Sequence, residues 1–199
     1  SAIKNLFNTN YTYKLPLNEK IINLSKLIFN SNKKLINELN IIANQKYFIS
    51  DISIYRNYPI VEDKPKKEFY SNFYHCDHYL KHMFKIFILL NDTLEDDGPL
   101  HIYNKNQTKK IIKNFYKNRN DYEKNIENKI SPYRFVGNRG ESLICLTTEC
   151  LHRAGVPKQH KLRDMLVFNL FFCSNIDNPW KFNDCLSEDF SKKNGKLNY

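Results

Sequence analysis

The sequence lacks any long apolar run, and this absence excludes a membrane-spanning helix formed by one continuous segment. Its longest uninterrupted apolar stretch, Ile86 to Leu90, has the length of a strand, whereas a membrane span needs roughly 18 residues. No basic segment followed by an apolar one opens the sequence, so we expect no secretory leader in it. The sequence therefore predicts a protein without a membrane partner.

Cysteine is scarce and shows no Cys-x-x-Cys pair, and the five cysteines are odd in number. An odd number does not suit a complete disulfide framework, so we interpret the cysteines as free thiols in a reducing compartment. This interpretation predicts a cytoplasmic location. The chain also lacks internal repeats, and its only compositional bias is an abundance of asparagine and lysine.

Acidic residues are outnumbered by basic ones: 21 aspartates and glutamates against 31 lysines and arginines leave a net charge of +10. Lysines are spread along the chain, so much of this excess is accounted for by a solvated surface. The most basic stretch is 105–119, for which two interpretations stay open. It is either an amphipathic helix with a lysine-rich solvent face or an attractor for an anionic substrate, and a nucleic acid is a less favoured partner.

The length and the hydrophobic content predict one folded domain over residues 1–199. Residues 1–46 are expected to form a helical flank, with Asn18 as the helix cap and a break at Asn30–Asn32. From residue 47 the sequence changes to short β-branched and aromatic segments separated by turns, a pattern typical of an all-β sandwich or barrel. We predict a mainly β core over 47–173, a basic helical insertion at about 105–130, and a tail over 174–199.

One set of residues has the spacing of a metal site. His75 and Asp77 lie in a segment of strand-like composition, where positions i and i+2 share a face and can bind one ion together. His152 follows an apolar strand and offers a second imidazole. Two histidines and one carboxylate leave three positions of an octahedron open, which is the ligand set of non-haem Fe(II) oxygenases.

Arg163 is the expected binding partner of a carboxylate in the same site. It comes 11 residues after His152, across the turn-forming segment Gly155–Lys158. We expect a strand, a turn and a returning strand to place Arg163 beside His152. A guanidinium there suits a bidentate grip on a carboxylate.

These residues, taken in order, resemble the Fe(II)/2-oxoglutarate-dependent dioxygenases, in particular the phytanoyl-CoA dioxygenase-like (PhyH) branch. The resemblance covers residues 70–173 and includes an HxD motif, an apolar strand, an acidic Gly-Pro turn, a Gly-Glu strand, a distal histidine and a following arginine. In this chain these are His75-Cys76-Asp77, Lys85–Asp92, Glu95–Pro99, Gly140-Glu141, His152 and Arg163.

The resemblance implies a double-stranded β-helix (jelly-roll, cupin-like) core. It also implies that His75, Asp77 and His152 bind Fe(II), and that Arg163 binds the distal carboxylate of 2-oxoglutarate. The related halogenases replace the carboxylate ligand by Gly or Ala, so the presence of Asp77 favours hydroxylation over halogenation.

Three further residues are expected to contact 2-oxoglutarate. Lys85 and Phe87 alternate along the strand after the HxD motif, which contributes cosubstrate contacts in related enzymes. Ala154 lies two positions after His152 and therefore on the same strand face, from which it can contact the cosubstrate. For each of the three, ordinary packing or a surface position is the competing interpretation.

The function that follows is hydroxylation of a C–H bond of a small molecule with Fe(II), 2-oxoglutarate and O2. Whether that molecule is anionic stays open. In this reaction 2-oxoglutarate is decarboxylated to succinate. One alternative keeps the chemistry but acts on a nucleic-acid base or a protein side chain. A further alternative, less favoured because the ligand set and Arg163 are both present, is a non-catalytic jelly-roll binding protein.

Overall fold

Two antiparallel sheets pack face to face in the computed structural model, which describes residues 11–43, 47–60, 68, 71–79, 83–116, 125–172 and 179–180. The strands are β1 Thr12–Lys14, β2 Tyr47–Asn57, β3 Met83–Leu89, β4 Leu100–Ile102, β5 Tyr133–Phe135, β6 Ser142–Leu146, β7 His152–Ala154 and β8 Arg163–Phe172. The helices are α1 Glu19–Ser31, α2 Lys33–Ala43, α3 Lys105–Asn114 and α4 Asn125–Lys129, and a 3-10 turn covers Glu95–Asp97.

The large sheet has the strand order β1-β2-β8-β3-β6, and the small sheet has the order β5-β4-β7. Side chains alternate between the two faces of a strand, so every second residue of the large sheet faces outward. Those outward residues are largely apolar on β3 and β8. Helices α1 and α2 cover that face with Phe29, Leu35 and Leu39. Phe168 is fully buried there, which contributes about 2 kcal/mol of hydrophobic stabilisation.

Helix caps set where α1 and α2 begin. The Asn18 side chain accepts a hydrogen bond from the backbone N–H of Ile21 at 2.9 Å, and the Asn32 side chain does the same for Leu35 at 3.0 Å. Each cap satisfies a backbone donor that has no partner within the helix. The cap predicted at position 18 is therefore present, and the chain turns between the helices at Asn32.

The small sheet has its own outer cover. Helices α3 and α4 pack there through Ile111 and Ile126, against Tyr103 and Leu151. Between the two sheets lies a separate apolar cluster that includes Phe87, Leu100, Phe135, Met165 and Val167. The inner faces of both sheets are thus held together along part of their length by hydrophobic burial.

The predicted mainly β jelly-roll core with flanking helices is confirmed. The expected all-helical flank is wrong in one respect, because Thr12–Lys14 pairs with β2 as an edge strand of the large sheet. The strand expected around His75 is reduced to an isolated bridge with His152, since only one ladder step forms there. Residues 117–124 of the insertion and most of the 174–199 tail lie outside the described residues, and the division of the chain at 46, 173 and 174 stays a prediction.

No helix among the described residues is long and apolar enough to cross a membrane.

Candidate metal centre and carboxylate site

The three predicted metal ligands come together because the segment around residue 75 runs beside β7. His75 and His152 exchange two backbone hydrogen bonds, of 3.0 and 2.9 Å, and the Asp77 backbone N–H donates to the Thr147 carbonyl at 2.9 Å. The i and i+2 positions of this extended segment then present His75 and Asp77 on one side. One potential ligand atom from each of the three side chains lies within 4.8 Å of the others.

The hydrogen bonds of the two imidazoles determine which ring nitrogen faces the centre. His75 Nδ1 lies 2.8 Å from the Phe73 carbonyl oxygen, and His152 Nδ1 lies 2.9 Å from the Cys150 carbonyl oxygen. A carbonyl oxygen can only accept, so each Nδ1 carries a proton, and in the neutral ring Nε2 is then the nitrogen that can bind a metal. Fixing the second ring nitrogen in this way is how proteins prepare histidines for a metal.

The distances to the carboxylate agree with that assignment. His75 Nε2 lies 3.8 Å from Asp77 Oδ1, and His152 Nε2 lies 3.9 Å from Asp77 Oδ2. Both separations are too long for hydrogen bonds, so these polar atoms surround a shared space without satisfying one another. Two neutral imidazole nitrogens and one carboxylate suit a divalent transition metal such as Fe(II).

Lys85 supplies the positive charge nearest to Asp77. Its ammonium forms an ion pair with Asp77 Oδ2 at 2.8 Å. Burial by itself raises the pKa of Asp77, but the adjacent Lys85 ammonium, together with the nearby His152 and His75 rings, outweighs it and holds the pKa below its ordinary value. The carboxylate is therefore ionised, as a metal ligand must be.

A cavity of about 350 Å³ opens on this centre. Alternate residues of β8, beginning with Arg163 and ending with Asn169, line one wall, because every second residue of a strand faces the same side. The lining includes all seven residues that the sequence singled out, namely His75, Asp77, Lys85, Phe87, His152, Ala154 and Arg163. Their assignment as metal ligands and cosubstrate contacts stays a prediction, and for Lys85 the contact seen is with Asp77.

Arg163 reaches the cavity by a route different from the expected one. The predicted hairpin beside His152 is wrong, because β7 belongs to the small sheet and β8 to the large sheet. The connection between them crosses from one sheet to the other, and Arg163 pairs in register with Asn57 of β2. His152 on β7 and Arg163 on β8 nevertheless line the same cavity, because the two sheets pack face to face.

The Arg163 guanidinium is buried, at 2% exposure, and hydrogen-bonds only to neutral acceptors among the described residues. Its Nη1 donates to the Gly98 carbonyl, its Nη2 donates to Asn57 Oδ1 at 2.8 Å, and its Nε has no partner. Burial lowers its pKa, with Tyr11 opposing and Arg153 reinforcing that shift, but a guanidinium keeps its charge in proteins. A buried cation without a carboxylate partner is suited to an anionic ligand.

The polar residues of the cavity wall that sequence reasoning missed include Thr12, Asn57 and Asn169. Asn57 and Asn169 both lie on long strands in register with other lining residues, but asparagine is so frequent in this chain that its type carries no signal. The strand alternation of β2 could have indicated Asn57. Thr12 was hidden because its segment was assigned to the helical flank.

Comparison with known proteins identifies the fold. No protein-family model and no curated protein sequence matches the chain. Among solved structures, the chain is similar to HygX from Streptomyces hygroscopicus with nickel, 2-oxoglutarate and hygromycin B bound, at 12% identity and a TM-score of 0.56, covering 92% of this chain and 79% of HygX. A second HygX structure, with nickel and 2-oxoglutarate bound, gives 9% identity and a TM-score of 0.55 over 96% of this chain and 86% of HygX.

Two other matched structures are much longer than this chain. It spans 32% of EvdMO1, at 11% identity and a TM-score of 0.49 over 72% of this chain. It spans 50% of the non-heme monooxygenase ThoJ, at 8% identity and a TM-score of 0.42 over 70% of this chain. At the identities of the HygX structures the likeness establishes the fold alone, and that fold is the double-stranded β-helix.

Proposed function

We propose that the protein is an Fe(II)- and 2-oxoglutarate-dependent oxygenase that hydroxylates a C–H bond of a small molecule. The observation that carries the proposal is that a cluster of potential metal ligands and a buried guanidinium line the same cavity. One is a set of two histidine Nε2 atoms and one carboxylate around a shared space, and the other is the buried Arg163 without a carboxylate partner. The HygX structures, which contain nickel and 2-oxoglutarate, share this fold and support the proposal.

The residues of the cavity have two roles, which are to bind the metal and 2-oxoglutarate and to exclude water. His75, Asp77 and His152 hold the metal, with both imidazoles locked in the required tautomer. Arg163 binds the distal carboxylate of 2-oxoglutarate. When bound, Fe(II) supplies the O2-dependent oxidation that couples decarboxylation of 2-oxoglutarate to hydroxylation of the substrate.

Some of the walls of the cavity are apolar. Phe87, Leu100, Met165 and Val167 line them and are buried. Apolar walls keep water away from the reacting centre and strengthen the electrostatic contacts inside it. A cavity of about 350 Å³ suits a cosubstrate together with part of a small substrate.

The basic insertion does not favour a nucleic-acid substrate. The exposed lysines of α3 belong to a helix whose Ile111 packs on the outer side of the small sheet, and α3 contributes no residue to the described cavity lining. This placement supports the interpretation of a lysine-rich solvent face. We therefore propose a small-molecule substrate, with an anionic group as one option, and a cytoplasmic location in keeping with the free thiols of Cys76, Cys145 and Cys150.

The test of this function uses anaerobically iron-loaded protein. Addition of 2-oxoglutarate should produce a charge-transfer absorption band, and O2 should then convert 2-oxoglutarate to succinate, faster with a true substrate from a panel of small metabolites. His75→Ala should abolish both signals. The exposed His160, which has a φ of 62° that asparagine tolerates, offers the control His160→Asn, which should leave both unchanged. Protein that holds iron but neither binds 2-oxoglutarate nor forms succinate would contradict the proposal.

A further inference from the structure

Asn57 stands between Arg163 and the edge strand of the large sheet. It pairs in register with Arg163 on one side and with Thr12 on the other. Its Oδ1 accepts from Arg163 Nη2 at 2.8 Å, and its Nδ2 donates to Thr12 Oγ1 at 2.5 Å. A guanidinium can only donate, so the amide orientation of Asn57 is determined by its neighbours.

The second acceptor of Arg163, the Gly98 carbonyl, is held by a close approach of two loops. A Cβ atom on Gly98, where φ is +70°, would lie 2.4 Å from the Pro157 backbone nitrogen. A Cβ on Gly155 would lie 2.2 Å from the Pro99 carbonyl oxygen. Only glycine fits at both positions, and the two loops therefore hold the Gly98 carbonyl at Arg163 Nη1, beside the Nη2 that Asn57 binds.

Both acceptors are neutral, and this matters for the charge of the site. A carboxylate at position 57 would neutralise the guanidinium in the absence of any ligand, as Glu127 does for the buried Arg153. An amide of the same size fixes the orientation of the guanidinium and leaves its positive charge uncompensated. Arg163 therefore has its geometry set by the protein and its counter-ion left to a ligand.

We propose that Asn57 is a positioning residue that orients Arg163 and, by being neutral, makes the cavity selective for 2-oxo acids with a distal carboxylate. This inference rests on the proposed function. Asn57 acts through Arg163 and does not contact the metal ligands. It sets the preference between cosubstrates, whereas the metal centre binds the 2-oxo acid end that all of them share.

The test compares two five-carbon ligands, 2-oxoglutarate and 2-oxopentanoate, which differ only in the distal carboxylate. Their dissociation constants are measured by calorimetry on the nickel-loaded full chain without O2. Asn57→Asp should weaken 2-oxoglutarate binding by about 30- to 100-fold, since the new carboxylate competes for the guanidinium. Binding of 2-oxopentanoate should change less than about twofold, so the preference between the two ligands collapses.

Asn18→Asp is the matched control, because it changes the net charge equally and aspartate caps a helix as well as asparagine does. It should leave both dissociation constants unchanged. Thr12→Val removes the acceptor of Asn57 Nδ2 with little change in side-chain size and should weaken 2-oxoglutarate binding more than 2-oxopentanoate binding, by about threefold. Thr12→Val therefore still tests the positioning role of Asn57 if Asn57→Asp does not fold.

The outcomes separate the two proposals. If the unmodified protein binds nickel but does not prefer 2-oxoglutarate over 2-oxopentanoate, the proposed function fails. If it does prefer 2-oxoglutarate and Asn57→Asp or Thr12→Val retains the full preference, the role of Asn57 is overturned. An equal loss for both ligands in Asn57→Asp would also overturn it, because a purely structural defect does not distinguish the distal carboxylate.

Discussion

Two buried arginines, ten positions apart in sequence, are used in opposite ways. Arg153 on β7 points to the outer side of the small sheet, where its Nε and Nη2 donate to Glu127 at 3.0 and 2.7 Å. Arg163 on β8 points into the cavity, and among the residues that the structure describes it donates only to an amide oxygen and a carbonyl. Burial of a cation is costly unless it is paired. The difference therefore separates a charge that stabilises the fold from one that is suited to bind a ligand.

The two carboxylates near these arginines differ in the same way. Glu127 is surrounded by donors: the Tyr74 hydroxyl at 2.7 Å, the Arg153 guanidinium, and His101 Nδ1 at 3.1 Å. Burial raises the pKa of Glu127, but the contacts with His101, Arg153 and Tyr74 outweigh it and hold the pKa below its usual range. Asp77 has Lys85 on one side and two imidazoles at distances too long for hydrogen bonds. The first carboxylate is saturated, and the second has coordination capacity left.

The largest expected effect is on metal binding, and it should be confined to the cavity side. Asp77→Asn removes the anionic member of the proposed ligand set and should lower the affinity for Ni(II) or Fe(II) by at least about 100-fold. Glu127→Gln makes the same chemical change on the outer side and should leave the affinity unchanged. Calorimetric titration of both variants measures this, and similar metal affinities for the two would refute the assignment of Asp77.

The next effect distinguishes the arginines themselves. Arg163→Gln should weaken 2-oxoglutarate binding by about 100-fold, because a desolvated guanidinium–carboxylate contact is lost. Arg153→Gln leaves Glu127 with fewer partners, so it should lower the melting temperature while the dissociation constant of 2-oxoglutarate stays within about twofold. If Arg153→Gln weakened 2-oxoglutarate binding and Arg163→Gln did not, the binding site for the 2-oxoglutarate carboxylate would lie at Arg153 on the outer face.

Acid stability should report on the outer-side carboxylate Glu127. The pKa of Glu127 is lower in the folded state than its ordinary value of 4.5. Its stabilising contribution is therefore complete above that ordinary value and is lost as the pH falls through the lower, folded value. Because Glu127 is partly exposed, Glu127→Gln should lower the free energy of unfolding at neutral pH by about 1–3 kcal/mol.

The same variant should flatten the acid limb of the stability curve. Denaturant titrations between pH 7 and pH 3 measure both effects. Equal slopes for the variant and the unmodified protein in acid would show that Glu127 is not held ionised by its neighbours.

The smallest effect is expected from the basic helix α3. Lys109 and Lys113 are exposed on it, and it covers the outer side of the small sheet. Changing both to glutamine should leave 2-oxoglutarate affinity and succinate formation within about twofold at low and at physiological salt, since exposed charges are screened over about 8–10 Å. A salt-dependent loss of turnover would instead mean that the helix guides an anionic substrate to the cavity.

The metal centre was the part of the site most accessible from sequence, for a geometric reason. His75 and Asp77 are two positions apart, so any extended backbone places them together. His152 and Arg163 were identifiable by residue type and by their order along the chain. The arrangement around Arg163 was not, because Asn57, Thr12 and Gly98 are 106, 151 and 65 positions distant and have no local spacing that links them to it.

Local patterns in the sequence thus determined the β-rich core, the capped helices and the short-range pair His75 and Asp77. The periodicity of apolar side chains, the caps and the two-residue repeat of a strand are all properties of neighbouring residues. Only the tertiary structure decided that β7 and β8 lie in different sheets and that Arg153 and Arg163 point to opposite sides of the small sheet. It also decided which arginine is paired with a carboxylate, since burial and charge pairing depend on segments that meet only when the two sheets pack together.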